Sequence, residues 1–216
     1  MAFLIDEAFL PATLTASPMT DDEFAEFCAA HPDLSFEMTS RNDLIVMPPN
    51  YTLTGVRNRM IIARLDAWAE VDGRGTTGDS STGFVLPDGS RLSPDAWWVD
   101  LRKVASLDPA EVQRYWHLCP DFVVELKSHW DRLPTLREKM GTWIANGAEL
   151  AWLIDAEART VEIYRSGQVP EVRKDIGLID GEGPFAGFHL PLESIWNPLP
   201  GEDVQSPSQE STDSLR

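Results

Sequence analysis

The sequence predicts an α/β fold, a mixed sheet packed between helices, and three observations carry that prediction. Asp121–Lys127 is an apolar, β-branched run of strand length, Pro134–Asn146 repeats its apolar residues at helical spacing, and Leu150–Ile154 is a second apolar run. Strand, helix and strand in that order call for a right-handed crossover between parallel strands. Segments of period two on either side add antiparallel hairpins to the same sheet. A chain of 216 residues, 43% hydrophobic and with eight tryptophans, can fill the core of one such domain.

Each element has a local reason. Residues 1–19 read as an acidic N-terminal segment ahead of the domain. Thr20–Ala30 reads as a helix, with Thr20 or Asp21 as its N-cap, Glu23 in the first turn, and Phe24 and Phe27 on its apolar side. Ser35–Met38 and Leu44–Met47 flank Ser40-Arg41-Asn42-Asp43, a hairpin turn; Pro48-Pro49 ends the second strand, because proline has no N–H for a ladder. Thr54–Val71 is the longest helical pattern. Val56, Met60, Ala63 and Ala67 form its stripe, widened by Ile61, Leu65 and Trp68, and Gly73 closes it. Arg57 and Arg64, seven apart, share a face that reads as solvated, with phosphate contact as the lesser reading.

Gly83–Leu86 and Ala96–Val99 read as strands joined through a Pro87-Asp88-Gly89 turn. Leu101–Leu118 is a connection with a short helix near Pro109–Tyr115. Proline opens the Pro134–Asn146 helix and Gly147 closes it, with Leu136, Met140 and Trp143-Ile144 as its stripe. Leu150–Ile154 and Thr160–Arg165 form a hairpin about Ala156-Glu157-Ala158-Arg159. The domain thus spans residues 20–197. Residues 198–216, rich in Pro, Ser, Gln and Glu without periodicity, read as a disordered tail.

The chemistry sits where apolar strands carry charge. On a strand, Glu125 and Lys127 emerge on one face while Leu126 points to the other. Burying either charge costs several kcal/mol unless it is paired or binds a metal. Asp95, in Ser93-Pro94-Asp95, opens another apolar run upstream. Pro-Asp, a spacer of about thirty residues and Glu-Xaa-Lys together make the pattern of a metal-dependent nuclease site. Each residue alone has a structural reading: Glu125 with Lys127 as an exposed strand-end pair worth ~0–1 kcal/mol, and Asp95 as a turn cap.

The order of motifs is more specific than any one of them. Thr20-Asp21-Asp22-Glu23-Phe24, Phe36-Glu37-Met38, Leu44-Ile45-Val46-Met47-Pro48-Pro49 and Ser93-Pro94-Asp95 precede Glu125-Leu126-Lys127. Leu136-Arg137-Glu138-Lys139-Met140, Trp143-Ile144-Ala145-Asn146-Gly147-Ala148, Trp152-Leu153-Ile154-Asp155 and Val161-Glu162-Ile163-Tyr164-Arg165 follow it. Over roughly Thr20–Trp196 the chain resembles the Uma-type family of bacterial restriction-endonuclease-like proteins, within the PD-(D/E)xK nuclease superfamily. It departs from the family pattern at Ser128-His129-Trp130, where Ser-Pro is usual, and at Thr39-Ser40-Arg41-Asn42, where Asp-Gly is usual.

The resemblance implies a restriction-endonuclease-like core and a Mg²⁺- or Mn²⁺-dependent hydrolysis of DNA phosphodiesters. Asp95 and Glu125, with a backbone carbonyl such as that of Leu126, would hold the metal by hard oxygen donors. Lys127 would orient the attacking water and balance transition-state charge. Glu37 matches the acidic position that the family takes from its N-terminal segment, and Lys139 a recurring lysine on the following helix. Both also have a plain structural reading.

Charge tempers the DNA reading. The net charge is −17, and residues 1–36 with 201–216 carry −10 of it, leaving −7 on the stretch that holds the motifs. A tight DNA binder needs lysines and arginines to displace counterions, so binding is expected to be weak or dependent on DNA structure. The acidity also supports a second class of function, a noncatalytic or regulatory binding protein that keeps the nuclease fold.

Other constellations are poorer. His117 with Cys119 lacks two further zinc ligands, His129 reads as a loop residue, and no Gly-Xaa-Ser-Xaa-Gly elbow supports a triad with Asp131 or Asp155. Trp130 alone of the eight tryptophans falls in a polar loop, where a base could stack. Cys28 and Cys119 make no framework, no run of ~18 apolar residues exists, and the N-terminus has no basic residue, so a reduced cytoplasmic setting is expected. A homodimer is expected too, with Gly83–Leu86 and Ile163-Tyr164 as its apolar surface.

Overall fold

The structure, a computed structural model, describes residues 10–199. In chain order the elements are β1 (Ala12–Thr15), α1 (Asp21–Ala29), β2 (Ser35–Met38), β3 (Asp43–Met47), α2 (Thr52–Asp72), β4 (Gly75–Asp79), β5 (Phe84–Val85), β6 (Arg91–Leu92) and β7 (Ala96–Asp100). They continue as α3 (Leu101–Val104), β8 (Phe122–Leu126), α4 (Leu133–Ala145), β9 (Leu150–Asp155), β10 (Thr160–Arg165), β11 (Glu171–Lys174), β12 (Leu178–Asp180), β13 (His189–Pro191) and α5 (Glu193–Trp196). A six-stranded sheet in the order β11-β10-β9-β8-β7-β4 is the centre, and a five-stranded sheet, β1-β3-β2-β6-β5, stands beside it. Strands β8 and β9 pair in parallel through α4, as strand–helix–strand order requires, and the remaining pairs of the central sheet are antiparallel. No helix among the described residues is long and apolar enough to cross a membrane.

Alternation along the central strands divides the core into two layers. Ala96, Trp98, Phe122, Val124, Leu126, Trp152 and Ile154 face α2 and the C-terminal elements. Trp97, Val99, Val123, Ala151 and Leu153 face α4 through Leu136, Met140 and Trp143. Strand β8 is buried at every position because helices cover both faces of a sheet that is parallel at its centre. A third cluster packs Phe24 of α1 on Phe36, Met38, Leu44 and Val46 of the smaller sheet. Thr20 caps α1 in a full capping box, its backbone N–H donating to Glu23 at 2.8 Å.

Several sequence expectations change here. The Pro87-Asp88-Gly89 turn does not lead to Ala96–Val99. Leu86 N–H donates to the Ser90 carbonyl at 2.8 Å, a turn too tight to reach past the next two residues, so β5 pairs with β6 and β7 pairs with β4 and β8. The short helix lies at Leu101–Val104, with no helix at Pro109–Tyr115. The buried stripe of α2 is Thr54, Asn58, Ile61, Leu65 and Ala69, rotated from the expected one because two polar residues point inward. Arg57 donates Nε–H to the Ile195 carbonyl at 2.9 Å, tying α2 to α5, while Arg64 is exposed. Residues 12–15, expected outside the domain, form an edge strand on β3. Phe84, Val85, Leu86, Ile163 and Tyr164 are buried within this one chain, so they offer no surface to a second copy. Of the tail expected at 198–216, residues 200–216 lie outside the described residues.

Strand β4 carries glycines where two indoles lie against it. A Cβ added at Gly75 would sit 2.0 Å from Trp98 Cε2, and one at Gly78 2.2 Å from Trp97 Cζ2. Gly78→Ala should therefore destabilise the fold by about 1–3 kcal/mol, the usual cost of overpacking. Gly55→Ala, in α2 with nothing within 4 Å of its added methyl, should stabilise by about 0.5–1 kcal/mol. Urea unfolding followed by circular dichroism should place the two midpoints on opposite sides of the wild type; a wild-type midpoint for Gly78→Ala would rule out the indole packing.

Candidate active site

Strand register brings the two expected acids together. Ala96 pairs with Val124 and Trp97 with Val123 in the antiparallel β7–β8 ladder. One step further along the same register sets Asp95 across from Glu125. The contact between the strand ends is direct: Leu126 N–H donates to Asp95 Oδ2 at 2.8 Å, and Asn58 of α2 donates Nδ2–H to Asp95 Oδ1 at 2.9 Å.

Glu37 arrives from the smaller sheet. Phe36 and Met38 point into the α1 cluster, so alternation turns Glu37 the other way, toward β8. Its Oε1 accepts the Ser93 N–H at 2.9 Å. Between Glu37 and Glu125 lies the ammonium of Lys139, 2.8 Å from an oxygen of each, which also donates to the Ser93 carbonyl at 2.9 Å. Trp143, one turn further along α4, donates its indole N–H to Glu125 Oε1 at 2.8 Å. Glu37 and Glu125 are only 2% and 3% exposed.

Lys127 does not join them. In the parallel β8–β9 ladder Leu126 is level with Ile154, so the next residue, Lys127, comes level with Asp155. Its ammonium lies 3.5 Å from Asp155 and 3.9 Å from Glu157 and makes no ion pair with Asp95 or Glu125. Alternation along β8 does not fix the partner of Lys127, because β9 offers a carboxylate nearer than the site. Lys139 of α4 takes the place beside Glu125 instead.

Burial dominates the electrostatics. It pushes the Asp95 carboxyl up, against the Leu126 N–H, Lys139 and the Asn58 amide. It pushes Glu125 up to about 8, with Lys139 opposing and Asp95 and Glu37 adding to the rise. Burial also works against the charge of Lys139, yet Glu125 and Glu37 outweigh it and hold the ammonium protonated well above the usual lysine range. The ammonium is therefore the fixed charge, and the carboxyl proton is what the site releases as pH rises.

These groups line a cleft of about 940 Å³, together with the exposed Arg41 and Arg132 and the partly buried Trp130. Among the described residues, no three His, Cys, Asp or Glu side chains gather as a ready metal cage. The chemistry of the donors nonetheless fits a hard divalent cation. Asp95, Glu125 and Glu37 offer carboxyl oxygens, and with all three ionised against one ammonium a divalent ion would balance the charge. The buried Asn58 Oδ1, on the amide that holds Asp95, has no hydrogen-bond partner among the described residues. The sequence assigns no site role to Asn58, to the Ser93 backbone or to Trp143, which reads there as part of an apolar stripe. A polar residue on the inner stripe of α2 was the one signal that marks Asn58.

A family model described as "Uma2: Putative restriction endonuclease" matches residues 21–193. A solved structure from Anabaena variabilis ATCC 29413, described as "a putative nuclease belonging to DUF820", superposes with a TM-score of 0.70 over 83% of this chain and 98% of that one. At 17% identity that likeness is one of fold. No curated protein matches the chain. Since the matched segment contains both sheets' pairing partners β2, β7 and β8 and the whole of the Glu37–Asp95–Glu125–Lys139 cluster, the chain belongs to the Uma2 family, with the PD-(D/E)xK-type nuclease core.

Proposed function

We propose that the protein is a Mg²⁺- or Mn²⁺-dependent endonuclease that hydrolyses DNA phosphodiester bonds at the Asp95–Glu125 site. The observation that carries this reading is the Lys139 ammonium, held between Glu37 and Glu125 beside the facing Asp95. A sheet register, a second sheet and a helix all converge on that one buried point, a costly arrangement for a fold that had no use for it. Asp95 and Glu125, with the Leu126 carbonyl, would hold the cation. When bound, the cation would polarise the scissile phosphate and ease deprotonation of water. Leu126 and Asn58 orient the Asp95 carboxyl, and Trp143 orients that of Glu125. Lys139 presents a fixed positive charge to the developing charge on phosphorus oxygens, and Glu37 with the Ser93 carbonyl keeps it aimed.

A second reading draws on the same contacts. Lys139 already satisfies one oxygen of Glu37 and one of Glu125, and such a closed cluster suits a noncatalytic protein that retains the fold. Metal binding separates the two, because a purely structural cluster has no affinity for a divalent ion.

Two predictions follow from the arrangement of lysines and from burial. Asp95→Asn should lower metal affinity and plasmid cleavage together, read by calorimetric titration and by gel with EDTA as the blank. Lys139→Ala, provided circular dichroism and a urea midpoint show it still folded, should retain metal binding while cleavage falls by ~10²–10³, the scale of one lost charge-stabilising group. Lys127→Ala, whose ammonium pairs with Asp155 instead, should cut near the wild-type rate; a large loss there would reverse the assignment of the lysines. No cleavage and no metal binding by the wild type would favour the noncatalytic reading.

The second concerns pH in metal-free protein. Glu125, raised to about 8 by burial, and Asp95, raised for the same reason, keep protons in the folded state that the unfolded chain has already lost. Between about pH 5 and 8 the folded state binds more protons, so stability should fall as pH rises through that window. The lowered carboxyls of Asp21, Asp88 and Glu162 titrate below it, and Lys139 above it. Urea midpoints in EDTA should decline across that range in the wild type and flatten in Glu125→Gln. An equal slope in both would show that Glu125 ionises freely.

A further inference from the structure

Three aromatic side chains near the cleft have no part in the buried clusters. Tyr51, the residue ahead of α2, is 52% exposed. His129 and Trp130 lie in the Ser128–Asp131 turn after β8, which is pinned by the Ser128 N–H donating to Asp131 Oδ2 at 2.7 Å. The rings lean on one another, with centroids 5.1 Å apart for Tyr51 and Trp130, 5.2 Å for His129 and Trp130, and 5.5 Å for Tyr51 and His129. Trp130 also lines the cleft that holds Asp95 and Glu125, and its buried indole N–H has no acceptor among the described residues. An unmet buried donor costs ~1–3 kcal/mol, and the exposed rings of Tyr51 and His129 recover little of that by burial. Arg132, two residues on, is exposed and lines the same cleft.

The overall charge says what such a cluster is good for. A chain at −17 gains little from phosphate neutralisation, whereas stacking of bases on aromatic rings does not depend on net charge. A base within a duplex has both faces covered by its neighbours; only an unpaired base presents a free face to a ring. We propose that Tyr51, His129 and Trp130 form a stacking platform at the cleft that takes an unpaired base of single-stranded DNA, with Arg132 beside it for the adjoining phosphate. The substrate would then be a strand with unpaired bases next to the scissile bond. This substrate class rests on the nuclease reading; the platform itself is tested by binding alone.

The test is fluorescence anisotropy with a labelled oligonucleotide of about 15 nucleotides, single-stranded or fully paired, in EDTA so that nothing is cut. Wild-type protein should bind the single strand at least about ten-fold tighter than the duplex. Tyr51→Ala and Trp130→Leu should each weaken single-strand binding roughly five- to a hundred-fold, the range of one lost base–aromatic stack. Tyr51→Phe should restore it. Equal affinity for both DNAs, wild-type binding by the Ala and Leu variants, or no binding of either DNA would each overturn the platform. Circular dichroism checks the fold, and the exposed Tyr51 keeps the test open if Trp130→Leu is unstable. Cleavage in Mg²⁺ or Mn²⁺ is scored separately. Platform-dependent binding without cleavage would sink the nuclease reading alone, and cleavage indifferent to all these variants would sink the platform alone.

Discussion

The architecture of the site depends on one buried charge. The Lys139 ammonium takes oxygens from Glu37 on the small sheet, Glu125 on the central sheet and the Ser93 carbonyl on the segment that joins them. Each partner by itself would be a costly guest in the interior, since desolvating a lone carboxylate costs several kcal/mol. Gathered around one ammonium they satisfy one another and fix the relative position of two sheets and a helix. Packing sets the layers, and this contact adds a polar tie between the two sheets.

The rest of the arrangement follows from ladder arithmetic. Antiparallel register on one side of β8 delivers Asp95 to Glu125, and parallel register on the other delivers Asp155 to Lys127. The same strand thus carries a carboxylate toward the site and a lysine away from it, into an ion pair with its other neighbour. The positive charge comes instead from α4, the helix that the crossover must lay over β8.

Much of this was legible in the sequence because it rests on local pattern. The capping box at Thr20 and Glu23, the hairpin Ser35–Met47, the β8–α4–β9 crossover and the β9–β10 hairpin all advertise themselves by period and by punctuation. Elements whose reason is tertiary did not. Strand β1 is mostly exposed and exists because β3 offers it an edge; β5 and β6 have two residues each, too short for any period to register. The inner stripe of α2 was misphased because Thr54 and Asn58 face inward, Asn58 to serve Asp95. Glu37, Asp95, Glu125 and Lys139 were all named from the sequence, but which lysine stands beside Glu125 depends on the distance between strands, which no spacing along one strand contains.

The indole of Trp143 turns the site into its own gauge. Its N–H is bonded to Glu125 Oε1 at 2.8 Å, with the Lys139 ammonium 6.0 Å from the ring centroid. A hydrogen bond to an ionised oxygen is shorter and stronger than one to a neutral carboxyl, and a proton deshielded by such a bond resonates downfield. Of the eight indole N–H signals in a nitrogen–proton correlation spectrum, that of Trp143 should move with the ionisation of the Glu125 carboxyl across the helix–sheet boundary. Protonation at the heart of the cleft can thus be followed by nuclear magnetic resonance on nitrogen-15-labelled protein, without ligand or turnover.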